Sequence, residues 1–360
     1  MKSIKAVDLF CGAGGLTRGL AAAGIEVQLG VDLDPACEYP YAYNNDARFS
    51  LRSVQQLTPK EIVGAWEGAD FTLLAGCAPC QPFSLYSQGK SDETDGRWNL
   101  LAEFQRLVLK TKPTFVTMEN VPRLAEQTVF ADFVAALKAA KYQVCYQVVK
   151  SSDYGVPQQR ERLVLLASKL GTIALIPPTH AKKPLTVRQA ISTLPPLSAG
   201  GEHARDPLHQ AATLSPKNLR RIRASKPGGT WRDWDKRLVA KCHRKKSGKT
   251  YPSVYGRMSW DEPAPTMTTQ FFGFGNGRFG HPEQDRAISL REGAIIQSFP
   301  RNYRFVKPGQ PIHMKTLGRL VGNAVPVKLG EAIGRSLRQH VQEFMLRERK
   351  KSVPKSATAR

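Results

Sequence analysis

The segment GCAPCQPFS at 76–84 carries the most reactive side chains of the chain and follows a short apolar run that predicts a strand. A cysteine at the carboxyl end of a parallel strand lies in the ligand crevice of an open α/β sheet. Its thiolate becomes a nucleophile where nearby cations or a helix N-terminus favour it. Cys80 is therefore a candidate nucleophile.

Cys77 and Cys80 also form a CxxC pattern, which has other interpretations. A redox pair stands at the start of a helix, whereas Pro82 follows here almost at once. A cysteine buried for packing is the second alternative. A structural zinc site needs a second CxxC or a spaced histidine pair, and the sequence has neither, so we predict no metal.

Two further segments place charged residues at predicted strand ends. Glu119 stands in MENVP at 118–122, and Arg160 and Arg162 stand in PQQRER at 157–162. Such residues most often form surface ion pairs. Their positions nevertheless allow the carboxylate and the two guanidinium groups to converge with Cys80 in one pocket.

A glycine-rich turn, DLFCGAGG at 8–15, connects the first predicted strand to a helix, and Asp32 ends the second strand. Such a turn lets a ligand approach the backbone, and the acidic residue can accept hydrogen bonds from ribose hydroxyls. Thr17 stands where the dinucleotide fingerprint requires its third glycine. The pair indicates an adenosine-containing ligand without specifying which. GNAVP at 322–326 is another candidate backbone-amide site.

Strands that alternate with helices across the first half predict βαβ units and an α/β fold with a mostly parallel sheet. The predicted strands span 5–10, 27–31, 71–75, 114–118, 143–149 and 162–167. The predicted helices span 16–23, 36–44, 100–110 and 130–140, with further helical segments at 284–300 and 316–340.

Residues 179–280 are rich in proline, glycine and basic residues and lack a periodic apolar pattern. Positions 216–250 hold thirteen Lys or Arg against two Asp, with Trp231, Trp234 and Tyr251 interleaved. A solvated surface segment is one interpretation, but the aromatic residues favour a contact surface. The last residues, 346–360, are basic and predict a disordered tail.

The net charge of the whole chain is +23, from 53 Lys and Arg against 30 Asp and Glu. A surface this basic attracts polyanions, of which nucleic acid is the commonest. No amphipathic basic helix, apolar span or signal peptide is evident. We therefore expect a soluble protein of the cytoplasm that binds nucleic acid.

Taken in order, DLFCGAGG, PCQPFS, ENVP, QQRER, REGAIIQSFP and GNAVP resemble the motifs of the cytosine C5 DNA methyltransferase family. The resemblance covers nearly the whole chain apart from the tail and residues 179–280, here called the basic module. It implies a Rossmann-like domain that binds S-adenosylmethionine, at 1–178 and completed by 305–345, and a smaller target-recognition domain at 179–300. The implied reaction methylates C5 of a cytosine flipped out of a specific duplex sequence, through a covalent bond between Cys80 and C6.

The resemblance also implies residue roles. Catalysis falls to Cys80, Glu119, Arg160 and Arg162. The flipped nucleotide contacts Gln81 and Ser84. The cofactor contacts are Phe10, Gly12, Ala13, Gly14, Gly15, Asp32, Leu33 and Asn323. The chain departs from the family at Leu33, often an aromatic position, and at 51–54, where the expected acidic residue is missing.

Three alternatives remain open. A transfer-RNA branch shares these motifs but usually carries a Cys-Phe-Thr segment, which is absent here. A catalytically inactive DNA-binding regulator usually lacks the cysteine or the glutamate, and this chain keeps both. A nicotinamide-dependent oxidoreductase is disfavoured by the missing glycine and by the charge. The resemblance further implies a monomer on double-stranded DNA, either paired with a cognate restriction endonuclease or solitary.

Overall fold

The computed structural model of the chain describes residues 2–79 and 99–352. The strands are β1 (Ile4–Leu9), β2 (Glu26–Asp32), β3 (Arg48–Leu51), β4 (Phe71–Gly76), β5 (Phe115–Asn120), β6 (Gln143–Lys150), β7 (Gln158–Gln159), β8 (Glu161–Ser168), β9 (Glu202–His203), β10 (Asp206–Gln210) and β11 (Ala264–Pro265). The helices are α1 (Gly15–Ala22), α2 (Glu38–Asn44), α3 (Pro59–Ala65), α4 (Asn99–Thr111), α5 (Thr128–Ala139), α6 (Val187–Ile191), α7 (Pro216–Ala224), α8 (Lys241–Arg244), α9 (Leu290–Ile296), α10 (Met314–Asn323) and α11 (Val327–Ser352).

Seven strands form the main sheet in the order β3-β2-β1-β4-β5-β8-β6. Neighbouring pairs from β3 to β5 are parallel, and β8 alone runs antiparallel to both of its neighbours. The α/β class with a mostly parallel sheet is therefore confirmed. The chain leaves β1 in one direction for β2 and β3 and in the other for β4 and β5. This change of direction opens a crevice at the carboxyl ends of the strands.

Side chains that alternate along each strand build a core on either face of the sheet. On β1, Val7 and Leu9 join α3, α4 and α5 on one face, while Ile4 and Ala6 join α1 and α11 on the other. Gly19 lets α1 approach α11 closely, because a Cβ there would lie 2.4 Å from the Val327 carbonyl oxygen. The C-terminal helix α11 therefore packs beside α1 on one face of the main sheet.

The predicted helix at 284–300 is wrong in its extent, because α9 begins only after Ser289. The Ser289 side chain accepts from the Glu292 N–H while Glu292 reaches back to the Ser289 N–H, a capping box that starts the helix there. The segment at 316–340 divides into α10 and α11 around the extended residue Ala324.

The predicted disordered tail at 346–360 is also wrong in its first part, because α11 continues to Ser352. Lysine, arginine and glutamate are good helix formers, and extending an existing helix costs little. Residues 353–360 lie outside the described residues.

The basic module has a small core of its own, which overturns the interpretation of its tryptophans as a contact surface. Trp231 and Trp234 are 7% and 6% exposed and pack with Ile222 and Phe274. Their indole N–H groups donate to the Tyr251 carbonyl and the Ser225 hydroxyl, both at 2.9 Å. A loop-rich segment with few aliphatic residues uses its large aromatic residues for burial.

Helix α9 joins the basic module to the elements that pack around the main sheet. Every residue of α9 is buried, and its side chains share one core with α6, α10, Ala13 and Cys37. Arg286, which is fully buried, pairs with Glu292 through both guanidinium Nη atoms at 2.7 and 2.8 Å. No helix among the described residues is long and apolar enough to cross a membrane.

Candidate active site

A cleft of about 2360 Å³ opens at the carboxyl edge of the sheet. One wall of the cleft is formed by residues that end or directly follow β1, β2, β4 and β5. The opposite wall is formed by α10 and the basic module. Gly12, Asp32, Glu119, Arg162 and Asn323 all line it. The sheet topology therefore brings together residues that are far apart in the sequence.

Glu119 is the centre of the charged end of the cleft. Its side chain is 4% exposed, and Oε1 lies 3.0 Å from the Nε of Arg162, whose side chain is 12% exposed. The Cys77 thiol donates to the other carboxylate oxygen, Oε2, over 3.1 Å. The Cys77 hydrogen bond thus orients the carboxylate, while Oε1 faces the Arg162 charge without accepting a hydrogen bond from any described residue. The positions of Glu119 and Arg162 at predicted strand ends allow this convergence, but no pattern in the sequence indicates the contact with Cys77.

The segment that leads to Cys80 is attached to the Glu119 strand. The Asn120 side chain donates its amide hydrogen to the Ala78 carbonyl over 2.9 Å, and its Oδ1 accepts from the Val121 N–H at 2.8 Å. This places the backbone two residues before Cys80 next to the end of β5. The predicted residues Cys80, Gln81 and Ser84 themselves lie outside the described residues.

Arg160 is placed differently from Arg162. It is 3% exposed, and its two Nη atoms donate to the carbonyls of Met267 at 2.9 Å and Gly322 at 3.2 Å. Burial lowers the pKa of Arg160 to about 9, and the neighbouring Arg162 adds to the shift. Its hydrogen bonds join the segment 158–168, which contains β7 and β8 and is here called the β7–β8 arm, to the basic module and to α10.

Gln158 and Gln297, both fully buried, reinforce the same junction. The Gln158 amide donates to the Gln297 Oε1 at 2.9 Å and accepts from the Met267 N–H at 2.7 Å. Gln297 in turn donates to the Val321 carbonyl at 2.7 Å. Buried amides that are this fully paired fix the relative positions of the segments they join. No pattern in a single sequence indicates this pairing.

The opposite end of the cleft is built on the glycine-rich turn. Gly12 has a φ of +55°, and a Cβ there would meet no atom within 4 Å, so its Cα faces open space. Its N–H donates to Asp32 Oδ2 at 2.8 Å, and the Asp34 N–H donates to Oδ1 at 2.9 Å. Burial raises the pKa of Asp32, and these backbone donors oppose the shift. Phe10, at a φ of +57°, lines the cleft beside them.

The neighbouring glycines serve packing. A Cβ on Gly14 would lie 2.5 Å from the Asn45 amide nitrogen, and one on Gly15 would lie 2.2 Å from the Val325 carbonyl. Ala13 is buried, and its carbonyl accepts from the Tyr303 hydroxyl at 2.5 Å. These three residues thus hold the turn against the C-terminal half of the chain.

Leu33 and Asn323 complete the wall at this end. Leu33 is 69% exposed and lines the cleft, as does the exposed Asn323 at the end of α10. Arg52, Ser53 and Val54, from the region where the family's acidic residue is missing, line it as well. An apolar surface next to a carboxylate and open backbone suits a nucleoside.

The family model for C-5 cytosine-specific DNA methylases matches residues 4–339. The chain is 48% identical over 347 residues to the type II methylase M.HgiDII of Herpetosiphon aurantiacus, covering 95% of this chain and 97% of the relative. It is 31% identical to the type II methyltransferase M1.HphI of Haemophilus parahaemolyticus, covering 93% and 87%.

Solved structures share the fold. A prophage-encoded DNA modification methyltransferase of E. coli superposes with a TM-score of 0.73 at 23% identity, covering 94% of this chain and all of the other. DNMT2 of Spodoptera frugiperda superposes with a TM-score of 0.65 at 20% identity, covering 93% and 100%.

Proposed function

The chain belongs to the C-5 cytosine-specific DNA methylase family, and from that premise we propose which residues carry out the reaction of this DNA (cytosine-5-)-methyltransferase. The observation that supports the assignment best is the buried Glu119–Arg162 pair, held beside the segment that leads to Cys80. Its relatives are named type II methylases, so the substrate is cytosine within a specific duplex sequence. The family match favours DNA over transfer RNA.

The cofactor of the family is S-adenosylmethionine, and the glycine-rich end of the cleft fits it. Asp32 has its carboxylate aligned by two backbone N–H groups, as hydrogen bonding to ribose requires. The open face of Gly12 leaves room for the ligand, and Phe10, Leu33 and Asn323 would enclose it. When bound, the cofactor supplies an electrophilic methyl group to C5 of the cytosine.

Cytosine is a poor nucleophile at C5, so the protein has to activate it. The Cys80 thiolate attacks C6 and forms an S–C6 bond, while the C5–C6 π electrons shift to C4–C5 and negative charge moves onto N3 and O2. Glu119 binds N3 and the exocyclic amine, and Arg162 binds O2, where negative charge develops. After methylation a base removes the C5 proton, the electrons of the C5–H bond form the C5–C6 double bond again, and the S–C6 bond breaks with its electron pair returning to the Cys80 thiolate.

Several residues prepare this step without touching the reacting atoms. Cys77 orients the Glu119 carboxylate, and Arg160 holds the β7–β8 arm that carries Arg162. Because both Nη atoms of Arg160 already donate to backbone carbonyls, we propose a positioning role for it. Gln81 and Ser84 hold the flipped nucleotide, since a target cytosine cannot be reached inside a duplex.

The catalytic domain comprises 1–178 and 305–345, and 179–300 forms the target-recognition domain. The packing of α11 on α1 supports the bounds of the catalytic domain. The separate core around Trp231 and Trp234 supports the target-recognition domain. The core around α9 belongs to both. We also propose that the chain acts as a cytoplasmic monomer, and its type II relatives favour a cognate restriction endonuclease as functional partner.

Exchanging residues 180–280 for the module of a relative with another target site is expected to move methylation to the donor's site. Base contacts specify sequence, and they lie in this module, while Gly12, Asp32 and Asn323 remain untouched. The host's α9 is kept, because its core is shared with the catalytic domain. Bisulfite sequencing reads the methylated site, and calorimetry with S-adenosylmethionine should show an unchanged affinity. A folded, active chimera that methylates the original site would show that recognition lies elsewhere.

A further inference from the structure

The segment that carries loop 270–280 is attached to the β7–β8 arm. Strand β11 pairs with β7, with Ala264 opposite Gln158, and Arg160 donates to the Met267 carbonyl three residues before the loop. At the other end, the Gly280 N–H donates to the Gly256 carbonyl at 2.9 Å, and the Gly280 carbonyl accepts from the Met258 N–H at 2.9 Å. The loop therefore has a defined position relative to Arg162 and Glu119.

Within the loop, the apolar side chains are buried in the protein and the polar side chains line the cleft. Phe271, Phe274 and Phe279 are at most 2% exposed and anchor the loop in the cores of α9 and of the module. Gln270, Asn276 and Arg278 line the cleft together with Glu119 and Arg162. The anchors hold the backbone rigid, so the polar groups are presented without a large loss of loop entropy on binding.

The polar groups are also held individually. The Asn276 amide donates to the Gln270 carbonyl at 3.2 Å, next to Gly273, where a Cβ would lie 2.3 Å from the same amide nitrogen. The Arg278 Nη1 donates to the Gly228 carbonyl, and no described carboxylate forms an ion pair with its guanidinium. Residues 266–280 contain no acidic side chain, so a polyanion can approach closely.

We propose that loop 270–280 reads base edges beside the target cytosine, with Arg278 selecting a guanine and Gln270 and Asn276 contacting neighbouring bases. The proposal rests on the proposed function and adds the residues that set its specificity. The planar guanidinium fork matches O6 and N7 of guanine, and side-chain amides match adenine. The fixed attachment to the β7–β8 arm, which carries Arg162, places these contacts in the same cleft as the flipped nucleotide.

The test measures methylation of a duplex library with a central cytosine and randomised flanking bases, read by bisulfite sequencing. Replacing Arg278 with alanine is expected to reduce the preference for guanine at one flanking position by on the order of ten- to a hundred-fold. Preferences at the other positions should remain. A rate that falls equally for all sequences would show a phosphate contact, and an unchanged profile would show no contact; either result overturns the proposal.

Two controls keep the outcomes separate. Arg237→Ala removes an arginine of the same module that is 90% exposed and lies outside the cleft, and it should leave the ranking of sequences unchanged. If Arg278→Ala fails to fold, Asn276→Ala provides the same test at a second position. A wild-type protein that methylates no library member would refute the proposed function itself rather than the assignment of the loop.

Discussion

Replacing Cys80 with serine is expected to abolish methyl transfer, with a loss on the order of 10⁴-fold or more. Serine at this position remains a neutral alcohol, so no covalent bond to C6 forms and C5 stays unreactive. Transfer of tritiated methyl groups to duplex DNA measures the rate, and an electrophoretic shift measures DNA binding, which should remain. Near wild-type turnover by the purified variant would rule out the covalent mechanism.

Cys77→Ser is the matched control, because it lies in the same segment and changes the same atoms. A serine hydroxyl can still donate to Glu119 Oε2, as the Cys77 thiol does over 3.1 Å, so we expect this variant to keep substantial activity. If both serine variants were equally inactive, the two cysteines would act as a pair, and the redox or metal interpretation of the CxxC pattern would be favoured.

Replacing Glu119 with glutamine is expected to lower the methylation rate by about 10²- to 10⁴-fold, the usual contribution of a positioned acid–base group. The amide has the same shape but no negative charge to pair with Arg162 or to stabilise positive charge that develops at N3. The Glu119 side chain is 4% exposed, so water cannot easily replace its charge beside Arg162. The partly buried Arg162 guanidinium would therefore lose the carboxylate that compensates its burial. Single-turnover rates separate this loss from a loss of DNA binding.

Glu103→Gln offers a comparison, because Glu103 pairs with Arg106 on helix α4 at 2.8 Å and lies away from the cleft. A half-buried i,i+3 pair within one helix contributes little, so activity and melting temperature should stay close to wild type. A Glu119→Gln enzyme within a few fold of wild type would contradict the role assigned to this carboxylate.

The alternating strands and helices of the first half were predictable because their apolar patterns are strong. β1, β4 and β5 lie within a residue or two of their predicted bounds, and their order explains why Asp32 and Glu119 meet at one edge. The short strand β3 and helix α3 were missed. β3 has only four residues, and α3 begins at a Thr58–Glu61 capping box that precedes a weak apolar pattern.

The basic module shows where local patterns fail. Trp231 and Trp234 stand among lysines and arginines, which indicated a surface, yet both are buried because the module has few other apolar groups. Arg160 and Arg162 lie two residues apart in one motif, and only the structure shows that one holds the backbone while the other pairs with Glu119. Contacts between residues that are far apart in the chain cannot be predicted from the spacing of residues within one motif.

Methylation of cytosine C5 within one DNA sequence by this chain is tested most directly by bisulfite sequencing of DNA from cells that express it. Cells expressing the Cys80→Ser variant at the same level serve as the reference. We predict that cytosines resistant to conversion occur at a single recurring sequence in cells with the wild-type chain and are absent from the reference. Complete conversion of all cytosines in the presence of folded wild-type protein would contradict the account.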